Sequence, residues 1–175
     1  MRLCMVQNVG LSKTDEKMLE FIAFTDGSNS SLLYGQAKAF YSAFRMVFGN
    51  GYETVLAHNV PKLEVLGPSL VNYHFAVELM LKSLIALKGV TPDKTHKLIK
   101  LLTIAIPHYP QLSVIYENVE LKLLLQEISK IGIRYAEGTT CLRHNICQEK
   151  KPLQELSEAM EYIFAMLKHS FENAR

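Results

Sequence analysis

The chain has no internal repeat and no low-complexity tract, so neither a solenoid nor a linker accounts for its 175 residues. It has little excess charge: nineteen basic against seventeen acidic residues leave +2. A dedicated nucleic-acid binder carries a clearer excess or a basic stripe, although a local patch can still hold RNA. No run approaches the ~18 apolar residues of a bilayer span, so no membrane partner is expected. The first ten residues lack the charged-then-apolar pattern and cleavage site of a signal peptide. Three cysteines, an odd number, do not suggest a disulfide framework. A reducing cytoplasm is the expected location.

What is present suffices for one core. At 49% hydrophobic and 21% charged the composition is that of a globular protein, read as a single domain over residues 1–175. The core is expected over about 31–170, with an N-terminal arm, short helix and loop in 1–30. Ser12 and Asp15 resemble a capping box, and residues 25–31 form the most loop-like stretch. Leu33, Ala37, Phe40, Tyr41, Phe44, Val47 and Phe48 then recur at three- and four-residue spacing, one buried helical face. Gly49-Asn50-Gly51 is expected to end that helix. Gly67 and Pro68 are expected to start the next, apolar on nearly every side, with Gly89 stopping it. Its polar residues form a narrow file: His74, Glu78 and Lys82.

Residues 96–106 predict a further helix with Leu98, Leu101, Leu102 and Ala105 inward, broken by Pro107 and Pro110. Residues 119–131 predict another, through Leu123, Leu124, Ile128 and Ile131. Gly138-Thr139-Thr140 reads as a turn, and Pro152 is expected to open a last helix. Its seam of Leu153, Leu156, Met160, Ile163 and Leu167 can bury against the bundle or a second copy. With no strand pair, the class is all-α.

The segment Asn72-Tyr73-His74-Phe75-Ala76-Val77-Glu78-Leu79-Met80-Leu81-Lys82, continuing in leucines to Gly89, resembles the central helix of HEPN domains. His96-Lys97-Leu98-Ile99-Lys100-Leu101 is similar to the family's histidine-and-leucine helix, and Arg134-Tyr135 to an arginine–tyrosine element of some members. The resemblance implies an up-and-down bundle of four to five helices, often a homodimer. Members include ribonucleases of toxin–antitoxin and antiviral systems, nucleotide-binding domains, and non-catalytic partners of nucleotidyltransferases. The nuclease branch sets a histidine four to six residues after an arginine. Here Arg45, Arg134 and Arg143 lack one, and His144 follows Arg143 directly. The Gly-Ser and paired aspartates of a nucleotidyltransferase are absent too; Gly27-Ser28 leads to no acidic pair.

The candidate ligand-binding residues are His74, Glu78, Lys82, Arg134, Tyr135, Arg143 and His144. His74, Glu78 and Lys82 lie four apart and share one helical face. Glu78 can serve as general base there, but an ordinary Glu78–Lys82 ion pair is the plainer reading. His96, with Lys94 and Lys97 nearby, can sit by a phosphate on free helix-start amides, though a packing or capping histidine weighs more. Cys141, His144 and Cys147 offer three ligand types suited to zinc. With no fourth ligand close, buried thiols are favoured, and neither metal nor cofactor is expected. Arg134, Tyr135, Arg143 and His144, with Lys150 and Lys151, can hold a nucleotide by charge and stacking, against the simpler reading of a solvated loop.

Three functions follow as expectations. The first is a non-catalytic HEPN-like domain binding a nucleotide, RNA or protein partner as a dimer, that partner being a nucleotidyltransferase or an antitoxin. The second is a HEPN-type ribonuclease with a rearranged site in which His144 is the base near Glu78. The third is a purely structural interaction module whose dimer seam is the last helix.

Overall fold

The structure, a computed structural model, describes residues 29–58, 63–133 and 150–175. The arm over 1–9, the capping box at Ser12 and Asp15, and the turn at Gly138-Thr139-Thr140 lie outside them. Among the described residues there are six helices and no strand: α1 (Ser30–His58), α2 (Leu63–Leu87), α3 (Leu98–Ala105), α4 (Ser113–Glu117), α5 (Val119–Ile133) and α6 (Lys150–Asn173). A 3-10 turn, Pro110–Leu112, leads into α4. The expected all-α bundle is therefore present, with four long helices and two short ones where prolines interrupt the chain.

The helix ends are written in local chemistry. Asn29 caps α1, its side-chain Oδ1 accepting the Leu32 N–H at 3.1 Å, and Asn118 does the same for Leu121 at 3.0 Å before α5. Gly89 closes α2 with φ +73°. Its N–H reaches the Ala86 carbonyl at 2.9 Å and the Val90 N–H reaches that of Ile85 at 3.4 Å, the paired bonds of a Schellman turn. Two expected boundaries are corrected. Helix α1 runs through Gly49-Asn50-Gly51 to His58, because glycine inside a helix costs only about 1 kcal/mol relative to alanine and does not forbid it. Helix α2 begins at Leu63, not at Gly67-Pro68, and carries Pro68 inside its second turn.

Packing puts α2 at the centre, in contact with α1, α3, α5 and α6. Tyr73, Ala76, Val77, Met80, Leu81, Leu84 and Ile85 are fully buried. By length and composition Gly67–Leu87 is apolar enough to cross a bilayer, which the count of uninterrupted apolar residues missed because Glu78 and Lys82 break the run. Here 61% of that stretch is buried within the fold. Ring pairs Phe44–Tyr73 (5.1 Å) and Phe40–Phe75 (5.4 Å) show α1 and α2 antiparallel.

Leu98, Leu101, Leu102 and Ala105 point inward as expected. On α5 the expected inward position Leu123 is 52% exposed and Leu125 is buried in its place, so the buried stripe runs through Leu121, Leu125 and Ile128. From Met160 onward the α6 seam is spent inside the chain, with Met160, Ile163, Phe164, Leu167 and Phe171 in the core and Leu156 partly buried against it; the side chain of Leu153 lies outside the described residues.

A few buried hydrogen bonds fix one helix against another. The Tyr73 hydroxyl donates to the Met160 carbonyl at 2.7 Å, and that of Tyr109 to the Leu84 carbonyl at 3.1 Å. Ser129 Oγ accepts the Leu98 N–H at 3.1 Å while donating to the Leu125 carbonyl at 2.8 Å. A Cβ placed on Gly89 would meet nothing within 4 Å, so the cost of Gly89→Ala is conformational alone. It should lower unfolding stability by about 1–2 kcal/mol in a denaturant melt, with no change in far-UV helicity.

Candidate functional site

Four-residue spacing stacks His74, Glu78 and Lys82 along one edge of α2, and the chain after Gly89 brings His96 back to the same edge. The Glu78 side chain is 5% exposed and that of His74 only 1%. Lys82 Nζ donates to Glu78 Oε1 at 2.6 Å, and His74 Nε2 lies 3.1 Å from Oε2. His96 Nδ1 bridges both oxygens, at 3.1 and 3.0 Å. A carboxylate only accepts, so each imidazole nitrogen facing it carries a proton. Burial pushes the Glu78 carboxyl pKa up, but donation from His74, Lys82 and His96, with the Lys82 charge, outweighs it and brings the pKa down to about 2.

This arrangement assigns distinct tasks to the two histidines. With Nε2 donating, His74 turns Nδ1 into the interior, where it has no partner among the described residues. His96 is the outward one. Its side chain is 60% exposed, and with Nδ1 committed to Glu78 the other ring nitrogen is the one left to a ligand. Lys94 and Lys97 flank it, both exposed. Lys100 is tied to Asp93 at 2.5 Å.

The expected file of His74, Glu78 and Lys82 is thus one cluster, and sequence reasoning missed its fourth member. By sequence His96 is expected to be a packing or capping residue. It is neither, since Lys97 holds the cap position of α3 without a side-chain bond. Its signal was the histidine-and-leucine pattern, but only the fold shows that it meets Glu78 eighteen residues back. Two amides expected to be free for a phosphate are taken: Lys97 N–H donates to Thr95 Oγ1 at 3.2 Å and Leu98 N–H to Ser129 Oγ. Arg134, Tyr135, Arg143 and His144, with Cys141 and Cys147, lie outside the described residues. Among the described residues no group of histidine, cysteine, aspartate and glutamate is arranged to hold a metal.

The cluster should make stability pH-dependent in a defined direction. The folded carboxyl titrates at about 2 and an ordinary one at 4.5. Its contribution is therefore complete above 4.5 and lost as pH falls toward about 2. Glu78→Gln should flatten that acid limb in chemical-denaturation measurements across pH. At neutral pH the same variant should cost about 1–3 kcal/mol, because the amide keeps one acceptor oxygen but leaves Lys82 and the buried His74 without a charged partner.

A model of one family, described as HEPN domain, matches residues 64–170. That span holds α2, α3, the Glu78 cluster and most of α6. No curated protein and no solved structure matches the chain. The family match spans more than half the sequence and contains each stretch whose pattern suggested it; the chain belongs to the HEPN domain family.

Proposed function

We propose that this HEPN domain binds the phosphate groups of a nucleotide or RNA and does not cleave them. The observation that carries the reading is the hydrogen bonding of Glu78. Three donors occupy its carboxylate, and a carboxyl titrating at about 2 is a poor proton acceptor at neutral pH. Its role is to hold His96 in one orientation, with a ring nitrogen toward solvent beside Lys94 and Lys97. With its second ring nitrogen also protonated, His96 is an imidazolium that donates outward, and beside two ammonium groups it suits phosphate oxygens, which take charge-assisted hydrogen bonds. The spacing of arginine and histidine used by nuclease members is missing from the sequence, which supports binding without hydrolysis. Should the protein act as a homodimer, as the family resemblance implies, the face joining the copies is not the α6 seam, which the core already uses.

Titration of the purified chain with ATP and with a short single-stranded RNA, followed by calorimetry, tests the reading. Saturable binding that weakens as salt rises is expected, with His96→Ala reducing affinity by about tenfold. Labelled RNA should remain intact in the same mixtures. Cleavage that disappears in Arg134→Ala or His144→Ala would overturn the non-catalytic reading and point to the rearranged nuclease.

A further inference from the structure

Helices α1 and α6 meet on the side of the bundle that carries the Tyr34–Phe171 and Tyr41–Phe164 stacks. Centroid distances there are 4.3 Å and 3.8 Å, with ring planes within 6° and 1° of parallel. The pairs Arg45–Glu161 and Arg175–Ser31 continue the same register, so the two helices are antiparallel. Above the Tyr41–Phe164 stack the seam opens into a trough of about 330 Å³. Two short residues at matching heights, Ser42 on α1 and Ala165 on α6, leave the space there. Lys38 stands on one wall and Lys168 on the other.

The charge on these walls is uneven. Among the described residues Lys38 has no carboxylate partner; its ammonium lies 4.6 Å from the Tyr34 ring centre. Lys168 approaches Glu172 only to 3.8 Å, and Glu172 already accepts the Tyr34 hydroxyl at 2.6 Å. Glu161, the one carboxylate lining the trough among the described residues, is paired with Arg45. Two ammonium groups and the Ser42 hydroxyl together favour a compact dianion. The trough has the size of a small metabolite, within the usual range of about 300–1,000 Å³ for ligand pockets.

We propose that the α1–α6 trough is a binding site for a small phosphomonoester, its phosphate held between Lys38 and Lys168. This site shares no residue with the His96 rim, which is built from α2 and the loop before α3.

Isothermal titration with ribose 5-phosphate, and with ribose as the uncharged control, tests it. Saturable binding in the His96→Ala background, where the rim is disabled, is expected for the phosphate ester and none for ribose. In that background Lys38→Gln and Lys168→Gln, both at exposed positions, should each weaken binding by about tenfold. Three results would overturn the proposal: no saturable binding, equal binding of ribose, or binding lost in His96→Ala but kept in the lysine variants. The last would place the phosphate at the rim and leave the proposed function intact. Loss in the lysine variants alone supports the trough whatever becomes of the rim.

Discussion

A carboxylate inside an apolar helix is the constraint from which the rest of this molecule follows. Left alone, Glu78 would shed its charge, since burying an isolated ion costs far more than a single hydrogen bond returns. It stays ionised because three donors converge on it from two parts of the chain. Two come from α2 itself and need nothing but helical spacing. The third, His96, arrives from the loop after Gly89, so the carboxylate is satisfied only when that loop has folded back. The polar cluster thereby ties the central helix to the start of α3.

The same logic recurs at smaller scale around the core. Leucine and phenylalanine faces tolerate helices sliding past one another, whereas a hydroxyl aimed at one carbonyl does not. Tyr73 on the Met160 carbonyl, Tyr109 on that of Leu84, and Ser129 between Leu98 and Leu125 each fix one contact between elements distant in sequence. Gln111 reaches Ser170 at 2.9 Å and anchors the proline-rich turn to α6. Burial supplies most of the stability of such a bundle, and these bonds select the register in which it is buried.

Much of this was legible in the sequence where the physics is local. The α2 apolar surface, its Gly89 stop, and the inward positions of α3 and α6 all follow from periodicity and backbone preference. The reading failed where a local preference lost to packing. Gly49 and Gly51 look like a helix end, but α1 continues past them, because two modest propensity costs do not interrupt a long helix packed against α2. Leu123 looks inward by composition, yet α5 is rotated so that Leu125 takes the core, and nothing in a stretch as leucine-rich as 121–125 fixes that rotation. The site divided in the same way. His74, Glu78 and Lys82 share a face by spacing, and were read together; His96 joins them through tertiary structure.

That division bears on what the cluster can do. A general base must be free to take a proton, while an orienting group must be held; the two demands pull one carboxylate in opposite directions. Every contact of Glu78 serves the second. Each donor lowers its proton affinity and narrows the positions open to the imidazole of His96, so the better the cluster is satisfied, the worse a base it makes and the better an anchor. What such an anchor delivers is an exposed ring nitrogen at a reproducible place in a stretch that also holds Lys94 and Lys97, and the proposed recognition of an anion rests on it. The inner part of the cluster then explains its outer part: His74 and Lys82 keep Glu78 charged, Glu78 keeps His96 aimed, and His96 is the member most open to solvent.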